Sequence, residues 1–398
     1  MKHLFILLAT LFCLQATSQS EAETKGGITF DHSAWKEILA KAKKENKLVM
    51  LDAYTSWCGP CKWMVKNVFP LKDVGEFYNK NFINAKIDME KGEGLEIAKK
   101  YSVMNYPTYL YVDGDGNLVH RICGSREAEL FIQGGKNALN KETQIITLEK
   151  NYKAKPSDAN IAQAYFNAAS EACMNIETDV TKFLEAQKPE ALTQKANYEL
   201  MMYFINDYSS PVFKYFTAHY KDFTVLYKKE EIDTKIQNAY SAAIKKAVRS
   251  KDEKQLSDVQ EAYRKEAAAP IGYLDAYADM VKAKSDKDTS VYFVAIIKFT
   301  DNYLMNSASA LNANAWDFYE KTNNKTYLLK AEMWAKKSVE IDPAYYNHDT
   351  YAAILFKEGK FPEAKANAAK AIELGKKANE DVKETEHLLE KINEKLKA

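Results

Sequence analysis

Ser56-Trp57-Cys58-Gly59-Pro60-Cys61-Lys62 sets two thiols three residues apart around a turn-forming pair. Such a pair is a metal clamp, a structural staple or a working redox couple, and the residues around it decide which. Two thiolates at this spacing make half of a tetrahedral zinc site, which needs a second pair of ligands. Cys123 and Cys173 stand alone, and the six histidines (His3, His32, His120, His219, His348, His387) form no closely spaced pair, so no metal is expected. Immediately upstream, Lys47 to Tyr54 (KLVMLDAY) is a short, mostly apolar run of the buried-strand type, which would deliver the thiols to one edge of a sheet. Before it, Ser33 to Glu45 carries Trp35, Ile38, Leu39 and Ala42 at helical spacing behind a Ser cap, and Lys62 to Asn67 continues without a breaker. The predicted order is helix, strand, Cys turn, helix.

A second element lies downstream. Met104-Asn105-Tyr106-Pro107-Thr108 precedes the apolar run Tyr109 to Val112; Phe82 to Asp88 reads as a strand and Leu95 to Tyr101 as a short helix. Leu118 to Ile122 reads as a further strand, followed by Gly124 and a helix over about 125–140. Asp113-Gly114-Asp115-Gly116-Asn117 lacks the Gly and Glu that a calcium loop needs at its sixth and twelfth positions, where Leu118 and Gly124 stand, so it reads as a hairpin turn. The Trp-Cys-Gly-Pro-Cys-Lys turn, Asp52 six residues before Cys58, and Tyr106-Pro107 ahead of a strand together resemble the thioredoxin family over residues 27–145. The insert after the Cys helix, Asn67 to Val74, is closer to the extracytoplasmic thioredoxin-like relatives. One departure is that the lysine which thioredoxin keeps near its buried Asp is replaced by Asn84, with Lys86 two residues on as a substitute on the same face.

The chemistry expected of these residues follows. A Cys that opens a helix has its thiolate stabilised by free backbone N–H groups and the positive end of the dipole, which makes Cys58 the nucleophile. Cys61 is its neighbour one turn along and attacks the mixed disulfide. Pro60 fits the first helical turn, and Gly59 leaves room for a partner chain. Burial would raise the pKa of Asp52, allowing it to exchange a proton with Cys61; its alternative is a hydrogen-bonded carboxylate at a strand end. A cis Tyr106-Pro107 bond would expose the preceding backbone to an extended peptide, against the alternative of an ordinary turn. Trp57 either faces substrate or closes the Cys helix.

The remainder of the chain sets the context. Its 398 residues exceed one ordinary domain, and 56 basic against 55 acidic side chains leave a formal charge of +1. Charge thus draws it to neither nucleic acid nor an anionic membrane. Lys2 and His3 ahead of the apolar run Leu4 to Leu14, with Ala16-Thr17-Ser18 after it, read as a signal peptide over 1–18. Cys13 follows Phe12, where a lipobox needs a small residue. Secretion across the inner membrane, to a periplasm where disulfides persist, is the expectation. Cys123 and Cys173 could pair or stay free, and buried, inert thiols are the expected outcome.

From about Gln144 the texture turns helical. A degenerate helical-repeat region is expected over 150–310, where Tyr198, Met202, Tyr203, Tyr208, Tyr215, Tyr220 and Tyr227 read as a helix-pair core. Over 311–378, Ala331, Ala335, Ser338 and Val339 recur 33 residues later as Ala364, Ala368, Ala371 and Ile372, which resembles tetratricopeptide repeats, and 379–398 reads as a terminal helix. The expected fold class is therefore an α/β thioredoxin fold followed by an all-α region, whose concave face could take a protein partner. The expected activity is reduction or isomerisation of protein disulfides, fed by a membrane thiol-electron donor and needing no cofactor. Net oxidation, or a scaffold with a docking domain, are the alternatives.

Overall fold

The computed structural model describes residues 26–266, 272–284 and 289–397; the expected signal peptide lies outside the described residues. The chain divides into two compact units, one ending at Leu200 and the other beginning at Met201.

In the first unit the order is α1 (Trp35–Glu45), β1 (Leu48–Tyr54), α2 (Gly59–Asn67), α3 (Lys72–Asn81), β2 (Phe82–Asp88), α4 (Gly94–Lys100), β3 (Thr108–Val112), β4 (Leu118–Cys123) and α5 (Ala128–Leu139). The strands form one sheet in the order β2-β1-β3-β4, with β1 parallel to β2 and antiparallel to β3, and β3 antiparallel to β4. Strand alternation sorts the side chains into two cores. On one face Met50, Tyr109, Tyr111 and Ile122 meet Met64, Val68, Val74, Tyr78 and Phe131 of the α2, α3 and α5 layer. On the other, Val49, Leu51, Ala53, Leu110 and Val112 meet Trp35, Ile38 and Ala42 of α1 and Ile97 of α4. Because β1 is covered on both faces, its sequence is a continuous apolar run, and Asp52 is the one charge within it.

Ser33 does not cap α1: Ala34 holds that position, and the Trp35 N–H is met by the Glu93 carboxylate at 2.9 and 3.0 Å. Residues 72–81, where the sequence predicts no element, form α3, which buries Val74 and Tyr78. The Asp113–Asn117 stretch is the expected turn, with the Asp113 carboxylate accepting the N–H groups of Asp115 and Asn117 at 2.9 and 2.8 Å.

The first unit runs past residue 145. α6 (Ile145–Ala154), α7 (Ala159–Glu171) and α8 (Glu177–Glu185) belong to it. The Ile145 N–H that opens α6 donates to His120 Nδ1 on β4 at 3.2 Å. Cys123 ends β4, Cys173 lies two residues past α7, and the two form a disulfide with Cα atoms 5.9 Å apart. The expectation of two buried, inert thiols is thus corrected. Cys123 is buried but Cys173 is exposed, and the return of α7 to the end of β4 is a tertiary contact with no local trace in the sequence.

The regular elements among the described residues of the second unit are all helices. Its helices Lys325–Ile341, Tyr345–Lys357, Phe361–Lys377 and Lys383–Lys397 pack in succession. Ala331, Ala335 and Ser338, and their counterparts Ala364, Ala368 and Ala371, are all fully buried, so the small residues do admit close helix approach. The expected boundary at 311 falls inside the helix Ala308–Lys321. The aromatic stripe is not a continuous core. Tyr198 is buried, Tyr203 is 68% exposed and the others are partly covered, while Phe213, Phe216, Phe223, Tyr240 and Tyr263 are buried instead. The stripe spans several short helices, so its spacing does not accumulate on one face. Among the described residues no helix is long and apolar enough to cross a membrane.

Candidate active site around Cys58 and Cys61

β1 ends at Tyr54 and the chain turns into α2 through Cys58, whose backbone is extended (φ −67°, ψ 110°) and which serves as the N-cap. Pro60 sits in the first helical turn, where its missing N–H removes no helix bond. Cys58 and Cys61 are joined as a disulfide with Cα atoms 5.3 Å apart, and the Cys61 N–H donates to Cys58 Sγ at 3.1 Å. A sulfur so placed meets the free N–H groups and the positive end of the helix, which favours its thiolate form once the bond is reduced.

Access to the pair is one-sided. Cys58 and Cys61 are 2% and 4% exposed, whereas a Cβ added at Gly59 would touch nothing within 4 Å. Trp57, 65% exposed, stands beside this opening, so it does not close the Cys helix. Its indole N–H donates to Glu90 Oε2 at 2.9 Å, and its ring meets Tyr106 edge-on at 6.1 Å. That contact brings the 104–108 loop beside the Cys turn. The Tyr106-Pro107 bond is cis. The Pro107 carbonyl accepts the Gly124 N–H at 2.8 Å, and Gly124 has a φ of 83°, which a residue with a Cβ rarely adopts.

Asp52 is 1% exposed. It is in register with Lys86 on β2 and with Tyr109 on β3, so the three form a row across the sheet on one face. Asn84 is instead opposite Met50, which makes Lys86 the lysine beside Asp52. Met50 shares the Asp52 face and packs with Met64, one turn beyond Cys61, so this is the face that α2 covers. Burial and the Asp52 charge push the Tyr109 hydroxyl well above its ordinary pKa. Arg126, before α5, ties the neighbouring loop together. Its guanidinium donates to the Cys123 carbonyl at 2.8 Å and lies 3.8 Å from Glu171 of α7, and its backbone N–H approaches Met64 Sδ at 3.4 Å. Glu90, Tyr109 and Arg126 were not singled out from the sequence. No group of three or more His, Cys, Asp or Glu side chains is arranged to hold a metal among the described residues.

Residues 35–138 match the family described as thioredoxin-like domain. Thioredoxin H2 of Arabidopsis thaliana is 30% identical over 112 residues, 28% of this chain and 79% of that protein. The thiol:disulfide interchange protein DsbD of Yersinia pestis is 33% identical over 103 residues, 25% of this chain and 17% of that protein. Among solved structures, a candidate disulphide-isomerase from Bacteroides thetaiotaomicron is 41% identical, with a TM-score of 0.28 over 29% of this chain and 97% of that one.

Proposed function

The chain belongs to the thioredoxin family and is a thiol-disulfide oxidoreductase, and from that premise we propose that it works outside the cytoplasm, reducing or isomerising protein disulfides through Cys58 and Cys61. The observation that carries the chemistry is the sulfur of Cys58 held at the N-terminus of α2, with the Cys61 N–H upon it. In the reduced protein, Cys58 attacks a substrate disulfide from the open Gly59 side, where Trp57, Pro60 and Tyr106 offer apolar contact and the Tyr106 backbone lies at hand for an extended chain. The substrate leaves one thiolate and remains bound through the other as a mixed disulfide. Cys61, having passed its proton to Asp52, attacks the Cys58 sulfur; the Cys58–Cys61 bond forms and the second substrate thiolate departs. Pro107 positions the loop that holds the substrate beside the pair. A dithiol donor at the membrane restores the reduced form, and a protein partner on the helical region would bring substrates to the site.

The extracytoplasmic reading rests on the sequence of residues 1–18 and is tested by mass spectrometry of the mature N-terminus in a membrane-separated fraction. Direction is tested by the Cys58–Cys61 reduction potential. A value near about −270 mV is expected of a reductant, and one near about −120 mV would turn the reading to net oxidation. In Cys61→Ala, mixed disulfides through Cys58 should accumulate; if none form, Cys58 is not the attacking thiol. Equal inactivity of wild type and Cys58→Ser in disulfide reduction with every dithiol donor would leave only a scaffold role.

A further inference from the structure

Three tyrosines are buried together between the sheet and its α2, α3 and α5 layer: Tyr78, Tyr109 and Tyr111. Two of them have their hydroxyls engaged. Tyr78 donates to the Phe131 carbonyl at 2.6 Å and shares a hydrogen bond with Tyr111 at 2.9 Å. The Tyr109 hydroxyl, on a residue with no exposed surface, has no hydrogen-bond partner among the described residues. An orphaned buried hydroxyl costs about 1–3 kcal/mol. A phenylalanine would serve the packing equally, since the Tyr109 ring lies among Phe131 at 4.7 Å and Phe69 at 6.3 Å. The hydroxyl therefore needs a reason, and its place supplies one: it is the register partner of Asp52, on the same face, beneath the helix that carries Cys61.

We infer that Tyr109 is a positioning residue for the resolving step, its hydroxyl donating to the Asp52 carboxylate when that group is charged and ready to take the Cys61 proton. This deepens the proposed proton transfer from Cys61 to Asp52 and rests on it. As the Cys61 proton moves to the carboxylate, the oxygen that accepted from Tyr109 loses its charge and the hydrogen bond weakens. The strength of that bond thus sets the pH at which Asp52 can act. No electron passes through Tyr109; the bonds made and broken remain those of the two thiols and the substrate.

The other charged and titratable groups around the row come from each element packed on it. Lys86 flanks Asp52 on β2, Tyr111 lies on β3 and Tyr78 on α3, and Arg126 bears on the phenols from before α5. His120 of β4 is held down to about 4 by burial, so it does not titrate in the range that matters.

The test is the pH dependence of single-turnover reduction of a peptide disulfide by the reduced full-length protein, from about pH 5 to 10. Asp52→Asn removes the Asp52 inflection. Tyr109→Phe moves it upward by about one pH unit, the tenfold change in proton affinity that a hydrogen bond to a charged group supplies. Tyr109→Phe in the Asp52→Asn background adds nothing. Urea unfolding accompanies each variant, and Tyr109→Phe should keep a single cooperative transition, so that a shifted profile is not a folding defect. If Asp52→Asn alters the profile and Tyr109→Phe does not, the inference fails while the Asp52 role stands. An equal effect of Tyr109→Phe with and without Asp52 also overturns it. A profile unchanged in Asp52→Asn removes the Asp52 role and this inference together.

Discussion

Replacing Cys123 and Cys173 together by alanine breaks the one covalent link between the end of β4 and the end of α7. The bond closes a loop of 50 residues. In the chain-entropy description such a loop removes about 14 cal/mol/K from the unfolded ensemble, or about 4 kcal/mol at 25 °C. With a urea slope of about 2 kcal/mol/M, the unfolding midpoint of the first unit should fall by about 2 M. Hydrogen exchange of the full-length protein, read on peptides from β3 and α5, isolates that unit from the second, and protection there should drop by about a thousandfold. A second variant separates backbone from cross-link. Cys173 has a φ of 53°, which costs a residue with a Cβ about 1 kcal/mol, so Cys123→Ala with Cys173→Gly should recover about that amount. Unchanged midpoint and protection in the double alanine variant would refute the reasoning, because packing and the His120 contact alone would then hold α6 and α7 to the sheet.

Two further outcomes are expected. His120 is held near 4 by burial and by the Arg126 charge, below the unfolded histidine value of about 6.5, so the unfolded chain binds the extra proton first. Stability is then complete above about pH 6.5 and is lost as pH falls toward about 4, by up to about 3 kcal/mol; His120→Gln should flatten that slope in urea titrations, and an equal slope in both proteins would contradict it. Trp57→Ala should leave the unfolding free energy within about 0.5 kcal/mol while lowering kcat/KM for a protein disulfide about tenfold, since the ring is exposed beside the opening; an unchanged kcat/KM would remove Trp57 from substrate contact.

Much of the site was legible because its residues announce themselves by local spacing. Cys58, Gly59, Pro60 and Cys61 lie in one turn, Asp52 interrupts an apolar strand, and Pro107 stands before another. Lys86 was within reach of alternation alone, since a residue two positions from Asn84 on a strand shares its face. Register was not, because it depends on which strands pair, and only the β1–β2 ladder places Lys86 rather than Asn84 opposite Asp52. Glu90 was invisible for a similar reason: its bond to Trp57 joins the loop after β2 to the loop after β1, and which loops meet depends on the strand pairing. The helix over 72–81 was obscured because its apolar residues are few and its start lacks a side-chain cap. In the helical region the small residues Ala331, Ala335, Ala364 and Ala368 were readable since close packing demands them, while the tyrosine stripe misled because tyrosine suits a half-wet position as well as a core.

The pairing of Cys123 with Cys173 matters most for how the site is held. The four residues 123–126 touch both walls of the active site: Gly124 bonds the Pro107 carbonyl, and the Arg126 N–H meets Met64 on the helix that carries Cys61. The same short segment is tied away from the site by the disulfide and by the approach of Arg126 to Glu171. On the proposed role of Pro107 the 104–108 loop has to stay closed, and without these ties it would open locally at a cost well below that of global unfolding. Anchoring it to α7 raises that cost without placing any new group against the reacting sulfurs. On that proposal α7 serves the site through the geometry of the 104–108 loop, and removing the Cys123–Cys173 bond should speed hydrogen exchange there; equal exchange in wild type and the double alanine variant would refute it.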